Sequence, residues 1–359
     1  MNEDSRCSDP AVTEGIVQIT PITSPFGLDQ LRKEWQALES QRQIRNPFLS
    51  WEFMSLWWRH YGLPPGHKLH VLAGFAEGLL VGIAPCYLQR TGRHGEEADC
   101  LCFIGDNIIG PDFLDFVTAP GYTTPFMMAA ARYIESQCRH ARIELNGIAR
   151  ESVSGPAWQG FRRQLGLDVA FFDSSPWIKL PADFVTYSQS LSPGWRRSVE
   201  RKRRRLAKNC PYQFEVFSGR DVVENLERFI ALNRQRLYDR KLDGGFVDQD
   251  FNAFHQDLAA ALAPLEMIEL HLLRADSGED IAGAYFFKDP QSRYYYYYQQ
   301  GFAKQFGIYS PGNVTTARAI EFTISQSAVE FHFLRGAEPY KYRWTRESKI
   351  LLSLLGFNR

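Results

Sequence analysis

The chain has 359 residues, of which 44% are hydrophobic, 14% aromatic and 23% charged, and its 41 basic and 41 acidic side chains cancel to a formal net charge of zero. This composition excludes intrinsic disorder, collagen-like repeats and coiled coils, and the length is about twice that of a typical domain, so two packed units are expected. With its charges balanced, the chain as a whole has no electrostatic reason to seek nucleic acid or a membrane surface.

The opening MNEDSRCSDP carries acids and no apolar core of a signal peptide, so residues 1–14 read as a flexible N-terminus. The longest hydrophobic run, Leu79 to Leu88, contains Pro85 and falls far short of the roughly 20 residues a membrane-spanning helix needs. A cytoplasmic protein without a transmembrane segment is expected. The six cysteines (Cys7, Cys86, Cys100, Cys102, Cys138 and Cys210) form no C-x-x-C pair. That pattern suits reduced core thiols rather than a disulfide frame or a zinc site, and no metal is expected.

In chain order, a strand over Ile16 to Ile22 leads to a helix opening at Ser24-Pro25 and running through Leu28, Leu31, Trp35 and Leu38. Serine before a first-turn proline is a physically sensible start, because proline lacks the amide that would be orphaned there. Ser50 caps a second helix bearing Phe53, Trp57 and Tyr61 on one face. Leu69 to Ala76 and Leu79 to Gln89 read as a hairpin turned at Glu77-Gly78. A strand-and-loop region over Asp99 to Thr118, a helix opening at Thr124-Pro125, and strands over Ala141 to Asn146 and Phe171 to Leu180 complete the first half.

The second half repeats the order. Strand Tyr212 to Phe217 precedes helices over Val222 to Tyr238 and Asp250 to Leu262. Strands over Met267 to Ala275, Ile281 to Lys288 and Arg293 to Gln300 follow, then a helix opening at Ser310-Pro311 and a strand over Val329 to Leu334. Corresponding elements keep a nearly constant separation, which points to a structural duplication with its boundary near residues 181 to 192. The expected units are 15–182 and 183–359, each β-α-α-β-β-β-α-β, of α/β (α+β) class with a mixed, mostly antiparallel sheet flanked by helices.

Several segments carry possible chemistry. The strand from Tyr294 passes through the loop Gly301 to Tyr309 into Ser310-Pro311-Gly312-Asn313, which opens an apolar helix. A helix start presents free amides and the positive end of the helix dipole, which suits a phosphate group; an ordinary capped helix facing solvent fits the same spacing. The Gly307 to Gly312 interval is no Walker loop, since Asn313 stands where lysine should follow. Tyr294 to Tyr298 alternate faces if extended, so that strand is expected at the centre of its sheet, with Tyr298 either core or a proton donor.

Leu334 to Trp344 crowds charges and aromatics around Gly336 and Pro339, either to converge Arg335, Glu338 and Lys341 on a ligand or as a solvated turn. Asp106, Asp112 and Asp115 cluster in GDNIIGPDFLDFV, and Asp112 and Asp115 cannot share one strand face. A carboxylate there serves as a proton acceptor or merely as a turn residue. Between Trp195 and Lys208 eight basic residues face Glu200 alone, on a helix starting at Ser192-Pro193. This run is either a phosphate-binding face or a solvated one, and no RNA-recognition motif accompanies it, so nucleic acid is not an expected partner. His255 reads as a satisfied core histidine more readily than a base, and His67-x-x-His70 is too weak a pattern for a metal site.

Together these segments resemble the CelD/BcsL-type acetyltransferases associated with cellulose and exopolysaccharide biosynthesis, a GNAT-superfamily group related to the Fem peptidoglycan aminoacyltransferases. The resemblance runs from about Leu28 to Ile350. It rests on Asn46-Pro47-Phe48-Leu49-Ser50, Trp57-Trp58-Arg59-His60, Asp112 to Phe116, Lys202 to Leu206, Tyr295 to Tyr298 with Gly301-Phe302, Ser310-Pro311-Gly312, and above all Phe333 to Gly336 with Glu338 to Trp344.

The resemblance implies two tandem GNAT-like domains, acetyl-CoA or another acyl-CoA as co-substrate, and a small-molecule or saccharide acceptor from polysaccharide or cell-envelope synthesis. On the physical requirements of such a transfer, Gly307, Ser310, Gly312 and Asn313 are expected to hold the donor's pyrophosphate, and Arg204, Arg205 and Arg335 also to bind the donor. Lys341 or a backbone amide of the tyrosine strand would polarise the carbonyl, Asp112 or Glu338 would accept the nucleophile's proton, and Tyr298 would protonate the thiolate. The loop Gln305-Phe306-Gly307-Ile308-Tyr309-Ser310-Pro311-Gly312 departs from the usual Q/R-x-x-G-x-G/A signature. Two alternatives therefore stand: a Fem-like aminoacyl-tRNA-dependent transferase, and a non-catalytic carbohydrate or partner binder with Trp57, Trp58 and Trp344 as its platform.

Overall fold

The computed structural model describes residues 16–92, 98–105, 109–240 and 245–358, so the N-terminal stretch 1–14, Cys7 and Asp106 lie outside the described residues. Local chemistry sets the starts of several elements. The Ser24 hydroxyl accepts from the Gly27 amide at 3.1 Å, and that of Ser50 accepts from the Phe53 amide at 3.2 Å; each such cap contributes about 1 kcal/mol. The helix expected from Ser24 to Leu38 is two, Pro25–Gln30 and Arg32–Ser40, because the chain turns at Leu31. Glu77 and Gly78 both adopt positive φ, 51° and 79°. This is the turn whose twist matches an antiparallel pair.

The hairpin expected over 69–89 is divided between two sheets. Val71–Ala76 and Leu79–Ala84 belong to a four-stranded sheet with Gln18–Ile22 and Val117–Thr118. His67–Leu69 and Cys86–Thr91 belong instead to an eleven-stranded sheet. The break in the second strand falls at Pro85, which has no amide to contribute to a ladder.

The large sheet runs Tyr212–Ser218, Ile268–Ala275, Asp280–Asp289, Tyr294–Phe302, Glu330–His332, Asp168–Lys179, Ser348–Phe357, Arg142–Ala149, Ala98–Phe103, Cys86–Thr91, His67–Leu69. Its middle joins the two halves. The long strand Asp168–Lys179 pairs through Trp177 to Lys179 with Glu330–His332, and through Asp168 to Pro176 with the closing strand Ser348–Phe357. The closing strand in turn pairs with Arg142–Ala149 of the first half. It was not foreseen, nor were helices Arg150–Val153, Pro156–Leu165 and Phe184–Ser190. A cut between 182 and 183 separates the closing strand from both of its partners.

The Asn46-Pro47-Phe48 segment ties the halves together. Phe48 is fully buried and packs edge-on against Phe287 and Tyr296 of the second half. Asn46 Nδ2 donates to the Phe113 carbonyl at 2.8 Å, while its Oδ1 accepts from the Phe48 amide at 3.0 Å. This fixes the loop 109–113 at the boundary between the halves. The molecule is thus a mixed α/β fold, its sheets flanked by helices.

Candidate functional site

The tyrosine strand Tyr294–Phe302 is central, as its composition suggested. It lies antiparallel to Asp280–Asp289 and parallel to Glu330–His332. The parallel pairing lasts only from Tyr294 opposite Glu330 to Tyr296 opposite His332. Beyond it Phe333 turns away, its amide donating to the Pro176 carbonyl at 2.8 Å. Two neighbouring strands that part leave a V-shaped opening with unpaired main-chain groups on its edge. On the other side of the tyrosine strand the ladder slips, with Tyr285 opposite Gln299 and Phe286 opposite Tyr297, so Tyr298 is the extra residue of a bulge.

A cavity of about 850 Å³ fills the opening. Tyr297 to Gln300 form one wall, Phe333 to Arg335 and Glu338 to Lys341 another, and the start of helix Pro311–Ser325 (Ser310 to Asn313) a third. Ile109 and Gly110 close it from the first half. Arg236, Arg335, Lys341 and Arg343 line it against the single carboxylate of Glu338. An interior with that balance favours an anion.

The helix start is built differently from its expected cap. Ser310 sits in the left-handed region, φ 55° and ψ 53°, and its hydroxyl caps nothing. Its carbonyl accepts from the Asn313 amide at 3.0 Å, and among the described residues no acceptor meets the Gly312 amide. A side chain at 312 would stand 3.0 Å from Gln300 Oε1, so the glycine keeps the mouth open. Free amides at a helix start with cations around them make an anion cradle.

Of the expected site residues, Tyr298, Gly307, Ser310, Gly312, Asn313, Arg335, Glu338 and Lys341 all line this one cavity. Their individual geometries differ from the expected roles. Lys341 is only 4% exposed. Its Nζ donates to the carbonyls of Leu334 at 3.0 Å and Arg335 at 2.6 Å, and meets Glu338 Oε2 at 2.9 Å. Three oxygens for three protons leave no donor for a substrate carbonyl, so Lys341 is the buckle of the loop 334–341 rather than an oxyanion donor.

Asp112 is fully buried behind Arg335, whose Nε lies 4.0 Å from Oδ1, and is not part of the cavity wall. Burial pushes its carboxyl up to about 7 against the opposing pull of the Ser175 hydroxyl, Arg335 and Lys341. The Tyr298 hydroxyl donates to the Ile109 carbonyl at 2.7 Å and meets His255 Nε2 at 3.2 Å. Burial holds this phenol well above its ordinary range. His255 is a buried core histidine held neutral, its imidazole pushed down to about 3 by desolvation. Glu338, by contrast, is half exposed at the cavity edge, where a carboxylate can take up a proton.

Arg204 and Arg205 do not line the cavity. Arg204 is exposed and pairs with Glu200 at 2.8 Å, at a second cleft. Arg205 lies over the Tyr309 ring at 5.4 Å, beside the Gly307 loop. Asp115 goes elsewhere than Asp112, accepting from the Trp158 indole at 3.0 Å. Trp57, Trp58 and Trp344 are 0%, 8% and 2% exposed. They form no exposed platform for a polysaccharide.

Arg236, Arg343, Gln300 and Thr316 were not among the expected site residues. Arg236 comes from helix Arg220–Arg240, which approaches the tyrosine strand at Gly301. No local sequence cue marks it. Arg343 was within reach, as part of the charged and aromatic segment that ends at Trp344.

Residues 194–342, within the second half of the chain, match the family model described as the acetyltransferase (GNAT) domain. No curated protein matches the sequence at a significant level. Among solved structures, FemX aligns with a TM-score of 0.62 at 10% identity, over 94% of this chain and 96% of that one. The C-terminal DUF2156 domain of a protein described as a lysylphosphatidylglycerol synthetase from Agrobacterium fabrum gives 0.59 at 12%, over 91% and 92%. L-PGS from Bacillus licheniformis gives 0.55 at 10%, over 91% and 92%. These likenesses are likenesses of fold. Among the described residues no helix is long and apolar enough to cross a membrane, and no group of three or more His, Cys, Asp or Glu gathers where a metal ion would fit.

Proposed function

We propose that the protein is an acyltransferase that moves an acetyl or longer acyl group from acyl-CoA to an amine or hydroxyl of a sugar, a polysaccharide precursor or a related cell-envelope acceptor. The observation that supports the donor is the cavity itself: four cationic side chains, one carboxylate and a helix start with a free amide, all beside a parted pair of strands. A pyrophosphate fits the Ser310 to Asn313 cradle. An extended amide-bearing arm fits the unpaired edge of the tyrosine strand, as an added strand would. Acceptor class rests on the resemblance of the loop 333–344 to the CelD/BcsL-type enzymes.

A thioester is already activated, so the protein's task is to align donor and acceptor and to stabilise charge on the carbonyl oxygen. The acceptor's lone pair attacks the thioester carbon, the carbon–sulfur bond breaks, and the acceptor's proton passes to Glu338. With Lys341 bound to three oxygens, the oxyanion donor is a main-chain amide of the tyrosine strand. The departing thiolate leaves beside the Tyr298 hydroxyl and takes its proton from solvent, since burial and the bond to the Ile109 carbonyl keep the phenol protonated. Arg205 beside the Gly307 loop, and Arg335 and Arg236 inside, take the donor's phosphates.

Calorimetry with acetyl-CoA tests the reading. Binding is expected, weakened about tenfold or more by Arg236→Ala, as for loss of a charge-assisted contact. No heat with acetyl-CoA, together with RNase-sensitive transfer from aminoacyl-tRNA, would replace this reading with the Fem-like one.

A further inference from the structure

A second cleft of about 510 Å³ shares no lining residue with the first. It lies between helix Phe184–Ser190 and the arginine-rich helix Pro193–Asn209, with Trp344 among its lining residues. We infer that this cleft binds a phosphate-headed single-chain amphiphile, its aliphatic chain on the apolar wall and its head among the arginines. The inference goes beyond the acyl-donor reading and does not depend on it.

Two independent features of the cleft support it. The first is uncompensated charge. Five arginines of the helix line the cleft against Glu200. Arg204 is paired with Glu200, and Arg203 with Glu321 at 2.8 Å. Arg196, Arg197 and Arg201 have no carboxylate partner among the described residues. The crowding is felt nearby, where partial burial and the cations Arg343 and Arg201 hold the Lys202 ammonium below its ordinary range. Three unpaired guanidinium groups suit a phosphate dianion, which accepts from several forks at once.

The second feature is the wall. Phe184, Leu191, Val199 and Trp344 supply an apolar lining, of which Phe184 and Leu191 are the partly exposed part, backed by the buried Val199 and Trp344. The Trp344 indole nitrogen is buried with no acceptor. Concave apolar surface beside a few convergent charges, at this volume, is the form of a small-molecule site. A polyanion such as RNA would need the charges and have no use for the wall. An occupant would touch Trp344, whose chain neighbour Arg343 lines the first cavity.

The test uses decyl phosphate below its micelle threshold, with sodium phosphate, decanol and polyuridylate as comparisons, read by calorimetry and by tryptophan fluorescence. Decyl phosphate is expected to bind about tenfold or more tightly than either phosphate or decanol. Arg197→Glu with Arg201→Glu, both at exposed positions, should weaken it by about tenfold with the melting temperature held. Leu191→Ala should weaken decyl phosphate and leave phosphate alone. Acetyl-CoA heats should be the same in these variants, which separates failure here from failure of the first site. Equal affinity for phosphate and decyl phosphate, indifference to the double charge reversal, or polyuridylate binding through the same arginines that decyl phosphate cannot displace would each overturn the inference.

Discussion

Arg335 stands between two compartments: its side chain lines the large cavity beside the tyrosine strand, while its Nε lies 4.0 Å from the Oδ1 of Asp112, a carboxylate with no exposure to solvent. The arginine also lies over the Phe172 ring at 5.2 Å. Its orientation is therefore set from behind by a charge the ligand never meets.

That arrangement has a pH signature. Burial pushes the Asp112 carboxyl up from its ordinary 3.8 to about 7 in the fold. A raised acid binds its proton more tightly folded than unfolded, so its contribution favours the fold at low pH and is lost as pH rises from about 4 to about 7. Asp112→Asn should flatten the fall of the melting temperature across that window. Melts at stepped pH with an unchanged slope in the variant would refute the assignment.

Lys341 should behave as a structural cation. Lys341→Met leaves two carbonyls of the loop 334–341 without their donor and is expected to destabilise by about 2–4 kcal/mol. Lys341→Arg should rescue poorly, because a planar fork cannot meet three oxygens placed around a point charge. Urea midpoints at the wild-type value for both variants would contradict this role.

Glu338→Gln keeps the shape of the cavity edge and removes the carboxylate proposed as proton acceptor. Turnover should fall by about 10²–10⁴-fold, with the acetyl-CoA affinity unchanged. A matching loss in affinity and in turnover would instead make Glu338 a partner of Lys341 alone.

Gly301 lets helix and strand touch through their backbones. A Cβ there would lie 2.3 Å from the Asn233 amide nitrogen, and the main chain cannot yield as a side-chain tip would. Gly301→Ala should cost about 1–3 kcal/mol or more. Because the same approach delivers Arg236 to the cavity, the folded fraction should also bind acetyl-CoA more weakly. Circular dichroism melts with parallel calorimetry separate the two losses.

What could be read from the chain alone was what short stretches decide. The caps at Ser24 and Ser50, the turn at Glu77-Gly78 and the central tyrosine strand each depend on neighbours a few residues away. Most of the cavity wall was legible too, since the parting strands and the helix start carry their residues in continuous runs. The escape of Asp112 behind Arg335 and the triple engagement of Lys341 were not, because each depends on which oxygens the fold brings near. Arg236 was invisible for the same reason, its position being fixed by a close approach at Gly301. The closing strand reads SKILLSLLGF, an apolar run. Its partners, Asp168–Lys179 and Arg142–Ala149, lie far up the chain, and nothing local names them.

The closing strand also orders events at the ribosome. The first unit's share of the large sheet has a gap between Arg142–Ala149 and Asp168–Lys179 that residues 348–357 alone fill. Until that stretch leaves the exit tunnel, two strand edges of the first unit stand open, exposed to pairing with other nascent chains. Synthesis of the second half is thus a waiting period for the first, which ends when Ser348–Phe357 takes its place between its two partners.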